Sequence, residues 1–307
     1  MHPFLSSYEK LRQKILSEST LTSLIRPEYH AFFDSAFVPI CSFTLFNRAL
    51  PEYEGTFIDL KDFYGADLQP VKVLEAIANP DCGYLYHAKA SDFGKIPSSA
   101  IAYWVSDRVL KIFEREEPVN KFVNPAVGLQ TSDNNRFLRY WFEVSIENIC
   151  FNAFNHEQSI ASYKKWFPYN KGGEFRKWYG NQEFVVNWEN DGYEIKNFKD
   201  PVTGKYLSRP QGYEFYFLEG ASWSAISSSN LSCRKQQKGT IFSNAGMAVF
   251  GESHKIIQIE SVLNSNVGNF LLKVISPTLN YGAGEIGNLP LKVSNFESEP
   301  IDRLESK

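Results

Sequence analysis

The chain has 307 residues, which is enough to bury a large core and to form two domains. Hydrophobic residues make up 43% of it and charged residues 22%, as in an ordinary globular protein, and the aromatic content of 15% favours β-rich packing. The net charge of −3 excludes a protein that coats nucleic acid with positive charge over its whole surface, so a nucleic-acid binder of this composition must concentrate its cations locally.

The four cysteines are far apart and form no CxxC pair. This spacing argues against a zinc ribbon and against a disulfide scaffold, and it favours the reducing cytoplasm. The N-terminus lacks a basic start followed by an apolar run, and no segment reaches the roughly 20 apolar residues of a membrane span. We therefore expect a cytoplasmic protein that does not contact a membrane.

The first elements in chain order are a helix and two strands. Apolar residues on one face predict an amphipathic helix over residues 5–16. The continuous apolar run at residues 36–46 is typical of a buried strand, with a bulge or a sheet edge at Pro39, and residues 56–60 predict a second strand.

The next segment contains several prolines and glycines. Residues 61–100 therefore predict an irregular bridge between two domains. Residues 101–115 carry apolar side chains at helical spacing, and we expect a helix there that ends before Pro118.

The second half alternates short strands and loops before a long helix. Strict alternation predicts a strand at residues 138–144, and a helical period predicts one helix over residues 254–275, bent at Gly268. Further strands are expected at residues 184–188, 213–218 and 240–242. The sequence thus predicts a mixed α/β fold.

Residues 163–192 form the most unusual stretch, in which three tryptophans alternate with cations around the pair Gly172 and Gly173. Residues 164–181 hold five Lys or Arg and one Glu. Cations pair with phosphate oxygens, aromatic faces stack on bases, and glycines let a backbone approach a ligand closely. The stretch indicates a nucleic-acid surface, and the alternative is a solvated basic loop.

A second polar segment, GLQTSDNNRFL at residues 128–138, suits a loop that meets base edges or phosphates, because Arg pairs with guanine and Asn with adenine. The alternative is a polar turn before the strand. The histidines are isolated and HExxH is absent, so no metal site is predicted. Glu194 and Lys196 repeat half of a metal-dependent nuclease motif, but a solvated strand end is the better interpretation.

Six segments together resemble successive landmarks of one family, the PglX-type adenine-specific DNA methyltransferases of bacterial phage-exclusion (BREX) systems. The segments are SSYEKLRQKIL (6–16), ADLQPVKVLEAI (66–77), AIAYWVSDRV (100–109), GLQTSDNNRFLRYW (128–141), KKWFPYNKGGEFRKWYGN (164–181) and SPTLNYGAGEIGNLPL (276–291). The resemblance implies methyl transfer from S-adenosylmethionine to the amino group of a flipped adenine, with double-stranded DNA as the partner.

The sequence departs from that family at the two motifs that do the chemistry. The glycine-rich cofactor loop is absent, and the Asn-Pro pairs at Asn79 and Asn124 lack the second proline and the aromatic residue of an Asn-Pro-Pro-Tyr motif. By family order both motifs belong upstream of Met1. We therefore expect no catalytic or cofactor-binding residue in this chain and no methyl transfer by the chain alone, while the complete enzyme would use S-adenosylmethionine.

The resemblance also implies a domain plan and a function. The plan is the tail of a Rossmann-like methyltransferase fold at residues 1–65, a connector with a helix at 66–115, an α+β target-recognition domain at 116–295 and a polar tail at 296–307. The chain would supply DNA target recognition. The predicted DNA contacts are Thr131, Asn134, Arg136, Lys171, Arg176, Lys177, Trp178 and Arg209.

Two alternatives stay open. The chain could be a non-catalytic interaction module that docks on a separately encoded catalytic half or on other phage-defence components, because strands without their sheet neighbours offer unpaired edges. It could also be an inactive gene remnant.

Overall fold

A computed structural model describes residues 8–32, 40–227, 230–277 and 280–292. The fold is mixed α/β, as predicted. The chain divides into two compact units, one of residues 1–116 with 274–278 and one of residues 117–273 with 279–307.

The first unit is built on a four-stranded sheet with the order β2-β1-β3-β4, in which β1 and β3 are parallel and the outer strands are antiparallel to them. Apolar clusters cover both faces of the central strands, one with Leu24, Phe57 and Phe93 and the other with Ile58 and Ala76. The elements are α1 (Glu9–Glu18), β1 (Thr20–Arg26), β2 (Ser42–Phe46), β3 (Glu54–Asp59), α2 (Leu68–Ala78), β4 (Leu85–Lys89), α3 (Ala90–Phe93) and α4 (Asp107–Arg115).

The second unit contains two four-stranded sheets, with the orders β11-β10-β13-β6 and β12-β8-β9-β7, and a small pair of β14 and β5. The elements are β5 (Glu117–Pro118), β6 (Asn124–Ala126), α5 (Asn134–Phe137), β7 (Leu138–Tyr140), α6 (His156–Ala161), β8 (Trp166–Asn170), β9 (Phe184–Asn187), α7 (Glu189–Lys196), β10 (Gly220–Ser224), β11 (Cys233–Gln236), β12 (Ile241–Phe242), β13 (Gly246–Phe250), α8 (Ser253–Asn264), α9 (Asn266–Ile275), α10 (Ala283–Gly287) and β14 (Pro290–Leu291).

One aromatic core joins these two sheets. Phe167 and Val186 from one sheet pack in the same cluster as Ala248 and Phe250 from the other. Trp188 is fully buried beside them. Because both sheets bury their inner faces against the same side chains, the loops that leave their strands start from fixed positions.

Several predicted elements of the first unit need correction. The run at 36–46 is not a buried strand: residues 33–39, including Pro39, lie outside the described residues, and β2 is a mostly exposed edge strand with Phe46 52% exposed. The prediction of irregular structure at 61–100 is also wrong, because α2 lies there and β4 pairs with β3.

Three helix and strand boundaries also differ from the predictions. Residues 101–106 are not helical, and α4 begins only at Asp107. The strand at 138–144 ends at Tyr140, where the backbone N–H donates to the Glu143 carboxylate at 2.7 Å and a 3-10 turn follows. The segment 213–218 contains a 3-10 turn instead of a strand.

The predicted long helix is two helices, and the break lies at Ser265 instead of Gly268. Ser265 has an extended backbone, and its Oγ accepts a hydrogen bond from the Gly268 N–H at 2.9 Å. A serine in this position caps the next helix, so a new helix starts where one bent helix was expected. The helix at 5–16 is confirmed as α1 over its described part, and the strands at 56–60, 184–188 and 240–242 are confirmed as β3, β9 and β12.

Candidate nucleic-acid interface

The polar segment at residues 128–137, here named the first loop, is tied down by backbone bonds at its start. Gln130 and Arg209 exchange two backbone hydrogen bonds of 2.9 Å, as in an antiparallel pair. The Ser208 hydroxyl donates to the Thr131 carbonyl at 2.7 Å. The loop therefore brings Arg209, which is exposed, next to the predicted contacts of this segment.

Within the first loop, Thr131 and Asn134 act as a pair. Thr131 is 5% exposed, and its hydroxyl donates to the Asn134 side-chain oxygen at 2.7 Å. Asp133 caps α5 by accepting a hydrogen bond from the Arg136 N–H at 3.0 Å. Thr131 thus orients the exposed amide of Asn134 from beneath, while Asn134 itself faces solvent.

Arg136 is exposed, but its guanidinium already has an acidic partner. Its Nε and Nη2 both lie 2.8 Å from the same Glu194 carboxylate oxygen, and the guanidinium carbon lies 5.0 Å from the centroid of the Phe198 ring. A charge held between a carboxylate and an aromatic face must give up these contacts to reach a phosphate or a base.

Glu194 reaches Arg136 because α7 has an unusual start. Asn190, Asp191 and Gly192 all have left-handed backbone angles, and a Cβ at Gly192 would lie 2.6 Å from the Trp188 ring. Glu194 also accepts a hydrogen bond from the Asn187 amide at 2.8 Å. The Glu194–Lys196 segment is therefore helical, and its interpretation as a strand end was wrong.

Asp191 is a hub that fixes this turn. Its carboxylate accepts hydrogen bonds from His156 at 2.8 Å, Tyr213 at 2.5 Å, Lys196 at 2.5 Å and Trp188 at 3.2 Å. Burial alone would raise the pKa of Asp191, but the bonds from Lys196, Tyr213 and His156 outweigh it and hold that pKa below its usual value. The ionised carboxylate thus supports α7 and, through Glu194, the first loop.

The basic stretch forms what we name the second loop, residues 171–182, between β8 and β9. Five of its residues have positive φ: Gly172 (79°), Gly173 (147°), Trp178 (71°), Gly180 (131°) and Asn181 (56°). At Gly172 a Cβ would lie 2.6 Å from the Ala245 carbonyl oxygen. The glycine pair thus serves the path of the loop, and a left-handed tryptophan is a rare, strained conformation.

The predicted cations of the second loop differ in how strongly they are held. Lys177 donates to the Asn264 carbonyl at 2.7 Å, at the end of α8, and Arg176 lies 3.5 Å from the Glu183 carboxylate. The Lys171 ammonium lies over the Phe184 ring, 4.6 Å from its centroid. Among the described residues Lys171 has no carboxylate within 4.0 Å, so its charge is the most available of the three.

The tryptophans of the stretch have different roles. Trp166 and Trp188 are buried, whereas Trp178 is 54% exposed. The Trp178 backbone pairs with β11, accepting from the Lys235 N–H at 3.0 Å and donating to the Cys233 carbonyl at 2.9 Å. These backbone bonds therefore fix the position from which the partly exposed indole projects.

A group of exposed aromatic residues that the sequence did not predict lies beside this loop and includes Tyr140 and Phe142. Phe184 stacks on Tyr140 with 4.7 Å between ring centroids, and Tyr140 stacks on Phe142 at 5.2 Å. Phe142 is 65% exposed and Trp141 is 49% exposed. The alternation of residues 138–144 was interpreted as one strand, so the turn that exposes consecutive aromatic residues could not be predicted.

The first and second loops lie at opposite ends of one strand pair. In the register of β7 and β9, Leu138 is opposite Val186 and Tyr140 is opposite Phe184. The first loop enters at Leu138, while Lys171 of the second loop lies over Phe184. The structure thus gathers the predicted contacts into two groups, Thr131, Asn134, Arg136 and Arg209 in one and Lys171, Arg176, Lys177 and Trp178 in the other. Their role as DNA contacts stays a prediction.

The described residues contain no group of three His, Cys, Asp or Glu side chains that could hold a metal. The two Asn-Pro pairs occupy structural positions: Asn79 accepts a hydrogen bond from the Asp81 N–H at 3.2 Å in a turn, and Asn124 pairs with Phe250 in a sheet. Neither pair is followed by an aromatic residue that could stack on a base. Over the described ranges, no helix combines the length and apolar character that a bilayer crossing requires.

Nearly the whole chain is similar to adenine-specific methyltransferases. PglX of Lacticaseibacillus casei (strain Zhang) is 35% identical over 292 residues, which is 94% of this chain and 24% of that protein. BrxX of Escherichia coli O9:H4 (strain HS) is 33% identical over 298 residues, 95% of this chain and 23% of that protein. The resemblance to PglX-type adenine-specific methyltransferases is confirmed, and the chain spans about a quarter of the length of these curated relatives.

A solved structure also has a similar fold. The type IIL restriction-modification enzyme MmeI, in complex with DNA, aligns over 95% of this chain and 37% of that enzyme, with a TM-score of 0.51 and 12% sequence identity. No family model matches the chain.

Proposed function

We propose that this chain supplies DNA target recognition for an adenine-specific methyltransferase of a phage-defence system, and that its second unit binds the duplex. The observation that carries the proposal is the similarity of almost the whole chain to about a quarter of PglX and BrxX, which are named adenine-specific methyltransferases. The fold shared with an enzyme that was solved in complex with DNA supports the same conclusion.

The geometry of the second unit supports a division of labour between the loops. Lys171 and Arg176 present charge near an exposed aromatic group, which suits phosphate contact and base stacking. Asn134 and Arg209 are exposed on a loop fixed by backbone bonds, which suits the reading of base edges. We therefore assign backbone positioning to the second loop and base readout to the first.

Salt dependence tests this proposal. Binding of the purified chain to fluorescently labelled duplexes is measured by anisotropy from about 50 to about 200 mM salt, a range in which six to ten phosphate contacts weaken binding roughly 10³–10⁵-fold. We expect a steep linear decrease of log affinity with log salt. Affinity that does not change with salt, or no binding at low salt, would contradict the proposal.

Methyl transfer is not assigned to this chain. The complete enzyme would use S-adenosylmethionine, but here the Asn-Pro pairs serve a turn and a sheet, and no aromatic residue follows either of them. We expect the chain alone to transfer no labelled methyl group to duplex DNA. Robust turnover by the purified chain would show that a catalytic site has been overlooked.

A second candidate function is docking on a separate catalytic polypeptide or on another defence component, and α2 favours it. Leu68, Val71, Leu74 and Ile77 follow one another at helical spacing and are 44%, 56%, 67% and 67% exposed. An exposed apolar stripe of this kind marks a protein contact. The curated relatives are about four times as long as the aligned segment, which offers the rest of such an enzyme as the partner.

Co-purification tests the docking function. The chain is co-expressed with the catalytic part of a PglX-type methyltransferase, and the complex is measured by size exclusion. We expect association that Leu74→Glu with Ile77→Glu abolishes, while Lys10→Glu on α1 leaves it unchanged. If the wild type, the double variant and Lys10→Glu all associate to the same extent, α2 is not part of the interface.

A further inference from the structure

The second unit contains a cavity of about 150 Å³ between the strands β8 and β9 on one side and β10 and β11 on the other. The second loop forms part of its wall through Gly180, Asn181 and Gln182. A cavity of this size accommodates one six-membered ring. None of the predicted DNA contacts lines this cavity, although part of its wall comes from the unusual stretch at residues 163–192.

The wall combines several side-chain amides with the aromatic rings of Phe151, Tyr169 and Phe184. The carboxamides of Asn170, Asn181, Gln182, Gln236 and Gln237 all line the cavity. Amides offer both donors and acceptors without charge, which is the pattern needed to bind the edge of a heterocyclic base. No carboxylate is found among the described lining residues, so the wall does not favour a cation.

The amides of the wall are not fully engaged with each other. Asn170 Nδ2 donates to Gln236 Oε1 at 3.3 Å and to the Gly246 carbonyl at 3.4 Å, and both bonds are long. Gln182 and Gln237 are exposed at the mouth. Asn181 Nδ2 also donates to the Glu174 carbonyl at 3.0 Å, and Gln236 Nε2 donates to the Leu218 carbonyl at 3.4 Å. A planar ligand with donors and acceptors can therefore bind the exposed amides of Gln182 and Gln237 at the smallest cost.

Positive charge lies behind the wall and at its mouth. In the strand register Arg234 is opposite Ser222, which lines the cavity. Arg234 also lies two residues before Gln236 on β11, so both side chains are on the same face of the strand, and Gln236 lines the cavity too. Arg234 is 1% exposed, and its Nε and Nη1 have no hydrogen-bond partner in the described structure. Lys238 is an exposed lining residue whose ammonium lies 4.6 Å from the centroid of the Phe154 ring, and it has no ion pair among the described residues.

We propose that this cavity binds a single nucleotide, with the base against the amides and the phosphate near Lys238. A planar base fits the volume and the amide edge, and an anionic phosphate fits the positive charge and the lack of carboxylates. The nucleotide comes either from free solution or from bound DNA in which one base has left the stack. The second source rests on the proposed function and would make the cavity a place where the recognition unit reads one extruded base.

Two variants separate this role from folding. Thr240 lines the cavity, and its hydroxyl makes no hydrogen bond to another described residue, so Thr240→Phe fills the space without removing a bond. The double variant Gln182→Ala with Gln237→Ala removes two exposed amides and leaves the core intact. Val202→Phe, at a position 91% exposed on a distant turn of the sequence, adds the same ring outside the cavity.

The first arm is a titration with the four deoxynucleoside monophosphates and with inorganic phosphate, followed by saturation-transfer NMR. We expect the wild type and V202F to bind at least one nucleotide more tightly than phosphate, and T240F and the double variant to bind it roughly tenfold more weakly or worse, because the base contacts are lost. The proposal is overturned if no nucleotide binds better than phosphate, or if T240F and the double variant both bind like the wild type.

The second arm identifies the source of the nucleotide. Duplexes retained by the wild type from a random pool receive 2-aminopurine at successive positions, and its emission rises when a base leaves the stack. A rise at one position with the wild type and not with T240F assigns the cavity to bound DNA. Nucleotide binding without such a rise assigns it to a free nucleotide. If the wild type retains no duplex at all, the proposed function fails, and the titration alone decides whether the cavity binds a nucleotide.

Discussion

The first and second loops of the second unit present their cations in opposite ways. Arg136 of the first loop is bound to Glu194 and covered by Phe198, whereas Lys171 of the second loop lies over the Phe184 ring and has no ion pair among the described residues. In the sequence both segments are polar and both contain predicted DNA contacts. The difference teaches that the partners of a cation, and not the density of cations along the chain, decide which charge is available to DNA.

The two loops also depend on different carboxyl groups. The first is supported through α7 by Asp191, which is ionised and accepts four hydrogen bonds. The second is attached through Lys177 to the end of α8, whose Glu260 is buried, and burial raises the pKa of Glu260 to about 7 against a smaller opposing effect of Lys235. A low pH should therefore destabilise the first loop, because Asp191 becomes protonated. A high pH should destabilise the second loop, because Glu260 becomes ionised.

The largest expected effect comes from Asp191→Ala, which breaks the support of the first loop. Four donors lose their acceptor, so we expect the free energy of unfolding at pH 7 to fall by roughly 3 kcal/mol. Because the folded pKa is lowered, the carboxylate contributes fully above its unfolded value of about 4, and its contribution is lost as the pH falls through the folded pKa.

Urea denaturation of wild type and Asp191→Ala at pH 7 and near pH 3 measures this effect. The gap between the two proteins should shrink at the lower pH. Asp62→Ala, at an exposed aspartate of the first unit, is the control and should change little. An equal gap at both pH values would show that the charge of Asp191 is not what stabilises the turn.

The comparison of available charges is tested by Lys171→Glu with Arg176→Glu. If Lys171 and Arg176 face phosphates as proposed, reversing both charges should weaken duplex binding roughly a hundredfold and make the dependence of log affinity on log salt shallower by about two. The pair Lys10→Glu and Lys14→Glu on α1 makes the same change in net charge elsewhere. Equal losses from both pairs would mean that only the total charge of the protein matters.

Glu260→Gln sharpens the comparison of the two carboxyl groups. The folded state keeps a proton on Glu260 up to about pH 7, while the unfolded state releases it near pH 4.3, so stability falls as the pH rises between these values. Each unit of pKa corresponds to about 1.4 kcal/mol, so the decrease between pH 5 and pH 7 is roughly 3 kcal/mol, and we expect the variant to lack it. Thermal unfolding at pH 5 and pH 8 measures it, and an unchanged pH dependence would mean that Glu260 ionises normally.

The smallest effect is expected from Glu194→Gln, which releases Arg136 from its ion pair. Duplex affinity should rise by roughly twofold to fivefold, the size of an exposed ion pair. Glu189→Gln removes the same charge from an exposed position of α7 and is the matched control. If both variants raise affinity equally, the gain comes from net charge and not from the freed guanidinium.

The sequence predicted the mixed fold and several strands because their apolar residues alternate or cluster as strands require. It failed where a single polar contact decides the backbone. Ser265 starts a new helix by accepting from the Gly268 N–H, and Glu143 ends β7 by accepting from the Tyr140 N–H. The hydropathy pattern does not reveal such hydrogen bonds. It therefore predicts one helix where the structure has two, and one long strand where the structure has a short one.

The candidate site could be predicted only as residue types on segments. The exposed amide of Asn134 and the exposed indole of Trp178 were among the predicted contacts, but their support was not visible in the sequence. Arg234 and the amides of the cavity come from segments that are distant along the chain, and only the register of the sheets brings them together. A hydropathy pattern describes one segment at a time, so contacts between distant segments cannot be predicted from it.

The left-handed residues of the second loop have a consequence for how such a protein can change its target. The path of the loop depends on Gly172 and on the other positive-φ positions, and Lys171 and Arg176 are not among those positions. Mutations can therefore exchange the side chains at these two positions while the backbone keeps its path. The proposed DNA specificity of the loop can thus change in evolution without a change of fold.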